Sequence, residues 1–249
     1  MIRHSLPVLV LLLLAGWLGW LLVHWRKPLA EEPGERSVAD RIGECGAKAD
    51  AALVPAFEAA GVPYPPRALR LVALKSERRL ELYAGGGSDG LRFIKSYPIL
   101  GASGLPGPKL AEGDRQVPEG IYPIVLLNPN SRYHLSLRVG YPNADDLRRA
   151  AADGRDSSTL GGDIMIHGGS ASIGCLAIGD DAIEEVFVLA ARTGLDNIDL
   201  LIAPCDFRSG ASVVVPPSAP DWTAPLHEEI RRNLMTLPQP GSSRAFPSR

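Results

Sequence analysis

Cysteine is scarce in this chain of 249 residues, with only three, at positions 45, 175 and 205. So small and odd a set excludes a disulfide-built scaffold, in which closely spaced pairs stand in for a hydrophobic core. If Cys175 works as a free thiol, Cys45 and Cys205 are the one remaining pair, and bonded and free states are both open for them. Charge of one sign is also lacking. With 26 Lys and Arg against 28 Asp and Glu the formal net charge is -2, so neither a nucleic acid nor an acidic polymer is indicated as a partner. No paired, short-spacing ligand motif accompanies the histidines and cysteines. His134, His167 and Cys175 are ligand types that suit Zn²⁺, but without such a motif no metal and no cofactor is expected. What is plentiful is Gly (26) and Pro (22), against 45% hydrophobic and 22% charged residues. That composition suits one sizeable core in a loop-rich, strand-rich fold rather than a helical bundle.

Residues 6 to 25 hold 20 positions without a formal charge, rich in Leu and Val, enough to cross a bilayer. The run is longer than the apolar region of a usual signal peptide, and Pro28-Leu29-Ala30 makes a poor cleavage site, so the segment is expected to stay as an anchor. Arg3 on one side and Arg26-Lys27 on the other nearly cancel in the charge rule for orientation, and Trp25 suits the interface.

The expected organisation is an anchor over 1–30, a linker and packing helix over 31–67, a catalytic domain over 68–207, and an extension over 208–249. Val38 to Ala60 carries an Ala-rich helical pattern ended by Gly61-Val62-Pro63. Leu69–Leu74, Arg79–Tyr83 and Leu91–Lys95 alternate as strands and would start an antiparallel sheet, joined by Ile121–Leu127 and Tyr133–Val139. Asn143 caps a short helix closed near Gly154. Ile183, Val186, Phe187, Ala190 and Ala191 lie on one helical face that ends at Gly194. Ile198–Ala203 reads as the last core strand. Asp221 to Leu237 is read as one further helix and Gln239 to Arg249 as a disordered tail.

The chemistry gathers in Ile166-His167-Gly168-Gly169-Ser170-Ala171-Ser172-Ile173-Gly174-Cys175-Leu176. A thiol near its usual pKa of about 8.5 is mostly protonated at neutral pH, so attack on an amide needs an imidazole to hold or remove the proton. His167 lies eight residues before Cys175, and Gly168, Gly169 and Gly174 allow the chain to fold back so that the two meet. The amides of Ile173, Gly174 and Cys175 could then form an oxyanion hole. A small buried thiol and a core imidazole are the bland alternative. The setting favours chemistry: an apolar strand-like run, Gly162–Ile166, leads into His167, and a turn at Gly179-Asp180-Asp181 opens a helix after Cys175. In the segment from Tyr133 to Val139, strand alternation puts His134, Ser136 and Arg138 on one face, where His134 and Arg138 could meet substrate carboxylates.

His167-Gly168 followed by Ser172-x-Gly174-Cys175 resembles the signature of the YkuD-type L,D-transpeptidases. Gly113-Asp114-Arg115-Gln116-Val117-Pro118-Glu119-Gly120-Ile121-Tyr122 is similar to a second segment of that family. Tyr133-His134-Leu135-Ser136 with Gly140-Tyr141-Pro142-Asn143 resembles its YafK-like branch. The resemblance covers about residues 69 to 207. It implies an α+β, mainly β fold, a β-sandwich or barrel with flanking helices, here preceded by one transmembrane helix. It implies Cys175 as nucleophile and His167 as general base and acid, with Gly168, Ile173 and Gly174 as orienting or oxyanion backbone. The resemblance favours a site role for His134, and Arg138 and Ser172 are taken with it as candidate substrate contacts, a solvated strand face being the alternative for His134 and Arg138. Where most members have a second His before the Gly-Cys and an Arg or Asn after it, this chain has Ile173 and Leu176-Ala177. The implied activity is acyl transfer on peptidoglycan stem peptides at diaminopimelate. The alternatives are hydrolytic release of a Braun-type lipoprotein from the wall and, in another class, an inactive wall-binding module. The implied partners are stem peptides, a wall-linked lipoprotein and the inner membrane through residues 6–25, with the catalytic domain facing the periplasm.

Overall fold

The computed structural model describes residues 34–86 and 90–240. The candidate span over 6–25 lies outside them, as does the end of the tail, and among the described residues no helix is long and apolar enough to cross a membrane. From Ser37 on, the described residues belong to one compact unit.

Helix α1, Val38–Ala60, forms where the Ala-rich pattern places it. Ser37 accepts from the Asp40 amide while the Asp40 carboxylate accepts from the Ser37 amide, so two orphan donors are satisfied at its start. It stops at Gly61, whose φ of 64° is the left-handed geometry that glycine adopts freely. The strands are β1 Ala68–Leu74, β2 Arg79–Gly85, β3 Arg92–Pro98, β4 Gly101–Ala102, β5 Gly120–Ser131, β6 His134–Val139, β7 Met165–His167, β8 Leu176–Ala177 and β9 Ile198–Ala203. Between and after them come α2, Ala144–Ala152, α3, Asp180–Thr193, and α4, Thr223–Met235.

The nine strands form one sheet in the order β3-β2-β1-β9-β5-β6-β7-β8-β4. This corrects three expectations. The sheet is mixed, because β1 pairs in parallel with β9 and β7 with β8. Its order is open at β3 and β4, so it does not close into a barrel. The four helices contain slightly more residues than the strands, so the fold is not mainly β.

The reason is visible in the central strands. Leu71, Ala73, Leu200 and Ile202 face Leu53 and Phe57 of α1 and Ile183, Val186 and Phe187 of α3. On the other face Val72, Leu74, Leu201 and Ala203 meet Leu226, Ile230 and Leu234 of α4. Strands β1 and β9 are thus covered on both faces by helices, the setting in which parallel pairing occurs and apolar runs replace alternation. Each fully buried Leu, Ile or Phe contributes about 1.5–3 kcal/mol by leaving water. All three cysteines are free. Cys45 packs between α1 and α3 with Ala49 and Val188, and Cys205 packs in the α4 cluster on the opposite side of the sheet.

Two acids of the Gly113–Tyr122 segment organise the loops that lead to the site. Asp114 accepts from Lys109 Nζ at 2.6 Å and from the amides of Leu110, Ala111 and Gln116. Glu119, wholly buried, accepts from Lys75 Nζ at 2.8 Å and the Gly107 amide at 2.9 Å, and pairs with His227 Nε2 of α4 at 2.7 Å. Burial alone would raise the Glu119 pKa, but His227, Lys75 and the Gly107 amide hold it below the usual value. A carboxylate so tied is a structural group.

Candidate active site

His167 ends β7, and the ladder fixes its surroundings. Across the antiparallel pair it faces Ser136 of β6, and across the parallel pair it faces Ala177 of β8. Residues opposite one another in a ladder point to the same face of the sheet. Ile166 and Leu176, one position back, point into the core under α3. Cys175 directly precedes Leu176 of β8, the strand paired with the one that His167 ends, and its thiol is bonded by the Met165 amide of β7.

The imidazole is buried, and its Nδ1 lies 2.7 Å from the Gly168 carbonyl oxygen. A carbonyl only accepts, so Nδ1 carries the proton of the neutral ring and Nε2 holds the lone pair. Burial pushes the His167 pKa below its ordinary value, against a partial rise from the Gly168 bond. The Tyr133 ring stacks on the imidazole, with centroids 4.6 Å apart and planes 28° from parallel. The Cys175 thiol donates to the Asp163 carbonyl oxygen at 3.7 Å. Burial raises its pKa, the Met165 amide lowers it, and Asp163 and Lys109 add opposing smaller effects. Both directions favour the neutral forms at rest, a protonated thiol and an unprotonated imidazole.

The loop from Gly168 to Gly174 is tied at both ends. The Gly168 amide donates to the carbonyls of Tyr133 (3.1 Å) and Leu135 (3.3 Å), and the Gly169 amide donates to Asp180 Oδ1 at 2.8 Å. At the far end Ser172 Oγ donates to the Cys175 carbonyl at 2.6 Å, and the Gly174 amide donates to Ser103 Oγ at 2.6 Å. Ser172 thus braces the loop, and the Gly174 N–H has a partner in this arrangement. Ile173, 76% exposed, projects into solvent. Arg138 reaches Asp163 at 2.9 Å, which places its guanidinium beside the residue whose carbonyl receives the thiol.

His134 departs from the alternation expected of it. Its φ is 72°, and its Nε2 lies 2.8 Å from Glu184 Oε1 of α3. A left-handed residue at the strand start turns the side chain out of step with Ser136 and Arg138. Tyr133, Ser103, Asp163 and Asp180 were not singled out as site residues from the sequence, although each touches the pair or its loop. Tyr133, Asp163 and Asp180 lay in segments that the motifs drew attention to, and Ser103 did not. Two surface cavities, one beside Arg70 and Asp199 and one beside Arg79 and Asp206, include neither Cys175 nor His167.

No family model matches the chain. Over 115 residues it is 40% identical to the Escherichia coli (strain K12) protein described as "Putative L,D-transpeptidase YafK", a match covering 45% of this chain and 43% of that one. The match thus spans less than half the length of that relative. Among solved structures, the helical cell shape determining protein Pgp2 from Campylobacter jejuni aligns with 21% identity and a TM-score of 0.45, over 55% of this chain and 48% of that one. Bd1075 from Bdellovibrio bacteriovorus aligns with 23% identity and a TM-score of 0.40, over 69% and 55% of the two chains. Over those 115 residues the chain is similar to a protein described as a putative L,D-transpeptidase.

Proposed function

We propose that the chain is a membrane-tethered cysteine acyltransferase acting on peptidoglycan stem peptides at diaminopimelate. The observation that carries this reading is the His167 ring: its Nδ1 is committed to the Gly168 carbonyl, which leaves the lone pair on Nε2 as a base, on the strand paired with the one that follows Cys175. The similarity to a protein described as a "Putative L,D-transpeptidase" supports the substrate class. In the first step Nε2 takes the thiol proton as Cys175 Sγ attacks the diaminopimelate carbonyl. The C–N bond breaks, the same imidazole returns the proton to the leaving amine, and a thioester remains. In the second step an acceptor attacks the thioester and frees the thiol. A lowered His167 pKa keeps the base form available below neutrality, and the thiolate forms only as the proton moves. Arg138, paired here with Asp163, would exchange that partner for a substrate carboxylate. Ile173 and Cys175 offer their amides to the developing oxyanion. Residues 6–25 would hold this domain on the periplasmic face of the inner membrane.

The test is to incubate the full chain in detergent with tetrapeptide muropeptides and record protein and product masses, with Cys175→Ala as control. A Cys175-dependent thioester adduct with crosslinked dimers is the expected result. An adduct with tripeptides alone would assign water as acceptor and make a lipoprotein-linked muropeptide the next substrate. Neither adduct nor product from either substrate would overturn the acyl-transfer reading in favour of a wall-binding module.

A further inference from the structure

Outside the candidate active site, one cluster brings three different ligand types together from three separate elements. Cys45 of α1, His134 of β6 and Glu184 of α3 offer Sγ, an imidazole nitrogen and a carboxylate oxygen, all within 4.8 Å of one another. Cys45 is buried, while His134 and Glu184 are partly open to solvent. We propose that these three side chains form a zinc site that ties α1 and α3 to the strand carrying the partner of the catalytic loop.

The donor set is of the kind zinc takes, borderline-soft nitrogen and sulfur with one carboxylate. A tetrahedral ion needs ligand atoms roughly 3.2–3.8 Å apart, so the cluster closes around one by side-chain rotation of about an ångström. His134 Nε2 already stands 2.8 Å from Glu184 Oε1. The backbone at His134 has a φ of 72°, the left-handed region, and it is this turn that directs the ring toward α3 instead of along the strand face. At present Lys48 Nζ occupies the neighbourhood as the cation, 2.7 Å from Glu184 Oε2 and bonded also to Asp181. A divalent ion would replace that single charge on Glu184 and take the proton-free thiolate of Cys45. Three protein ligands leave the fourth position for water.

The site adjoins the catalytic loop through one residue. Tyr133, next to His134, stacks on His167 and accepts from the Gly168 amide. An ion at His134 therefore fixes the segment that orients the base.

The experiment uses the full chain in detergent, stripped with a chelator and titrated with Co²⁺ as a spectroscopic stand-in, then with Zn²⁺. One equivalent of Co²⁺ should give a thiolate-to-cobalt band in the near ultraviolet that Zn²⁺ removes. The band should vanish in Cys45→Ser, weaken in affinity by more than about tenfold in His134→Ala, and survive intact in Cys175→Ala. Lys48→Ala removes the competing ammonium and should tighten Zn²⁺ binding about fivefold. Thermal melting of each apo variant establishes that it is folded. A folded wild type with no one-equivalent band, a band that persists in Cys45→Ser, or a band lost in Cys175→Ala would each overturn the proposal.

Discussion

Gly168→Ala is the substitution that separates the loop's geometry from its composition. A Cβ on Gly168 would clash with Asp180 Oδ1 and meet the Tyr133 carbonyl oxygen at 2.6 Å and His134 Cβ at 3.2 Å. Ordinary contact begins near 3.4 Å, so the Tyr133 carbonyl must retreat by roughly 0.8 Å, and it cannot do so by rotating a side chain. Asp180 can rotate, but only by dropping the Gly169 amide. Such overpacking costs about 1–3 kcal/mol, or a fall in Tm of roughly 3–10 °C for a domain of this size. The functional loss should be larger in proportion. Moving Tyr133 disturbs the stack on His167 and the bond from the Gly168 amide, and a displacement near 1 Å at the reacting groups costs about 100-fold in rate. The assay is Cys175 alkylation and muropeptide adduct formation beside thermal melting, with Gly169→Ala as comparison. Gly169 has a φ of 64° but its Cβ would meet only Tyr133 Cδ1 at 3.8 Å, so that variant pays the left-handed penalty of ~1–2 kcal/mol without pushing on Tyr133. It should lose stability comparably and rate much less. Wild-type melting and wild-type rate in Gly168→Ala would refute the reasoning.

Glu119→Gln should cost about 3–5 kcal/mol in denaturant unfolding, because it leaves Lys75 with no buried counter-charge. The folded-state pKa of Glu119 is depressed, so its contribution is present above the unfolded value of about 4.3 and is lost as pH falls through the folded one; the variant should flatten that acid limb. Cys175 alkylation should rise with pH through an apparent pKa above the ordinary thiol value, since burial raises that of Cys175 while burial lowers that of His167. A rate plateau extending below pH ~6, the mark of a thiolate–imidazolium pair, would contradict the neutral resting state. Tyr133→Ala should open the imidazole to water, move the His167 pKa up toward its ordinary value in an NMR titration, and slow adduct formation. An unchanged titration would show that stacking has no part in the burial.

Local patterns were readable from the sequence, and neighbours were not. The helix from Val38 to Ala60 stood out because its start and stop are chemical, with Ser37 and Asp40 at one end and Gly61 at the other. Ile198–Ala203 was readable because six residues without a breaker have few alternatives. Strand pairing is different, since a run of apolar residues gives burial but not direction or partner. Leu69–Leu74 looks the same whether β9 runs with it or against it. At the candidate site, the loop's glycines and the His167/Cys175 spacing were visible, whereas the brace from Ser103 to the Gly174 amide joins residues 71 positions apart. His134 was misplaced for a local reason: alternation assumes extended backbone at every residue, and one positive φ at the strand entry breaks it.

The eight-residue separation of His167 and Cys175 acquires a meaning once the ladder is known. Parallel neighbours usually need a crossover of about a dozen residues or more, yet β7 and β8 are joined by Gly168 to Cys175 alone. The return is possible because both strands are short: to bring Leu176 level with Ile166 the chain must move back only one position, ~3.3 Å. Eight residues have slack for that, so the middle of the loop is free of the constraint and Ser170, Ala171 and Ile173 are exposed. The ends are not free. The Ile178 amide donates to the His167 carbonyl at 2.9 Å, the Gly179 amide to the Gly169 carbonyl at 3.0 Å, and Asp180 at the start of α3 accepts from Gly169. These bonds clamp the strand before the loop to the strand and helix after it. The flanks of the loop are therefore held by the ladder and the start of α3, which is why Gly168, pressed against Asp180 and Tyr133, has no room for a side chain while Ser170, Ala171 and Ile173 between the clamps face water.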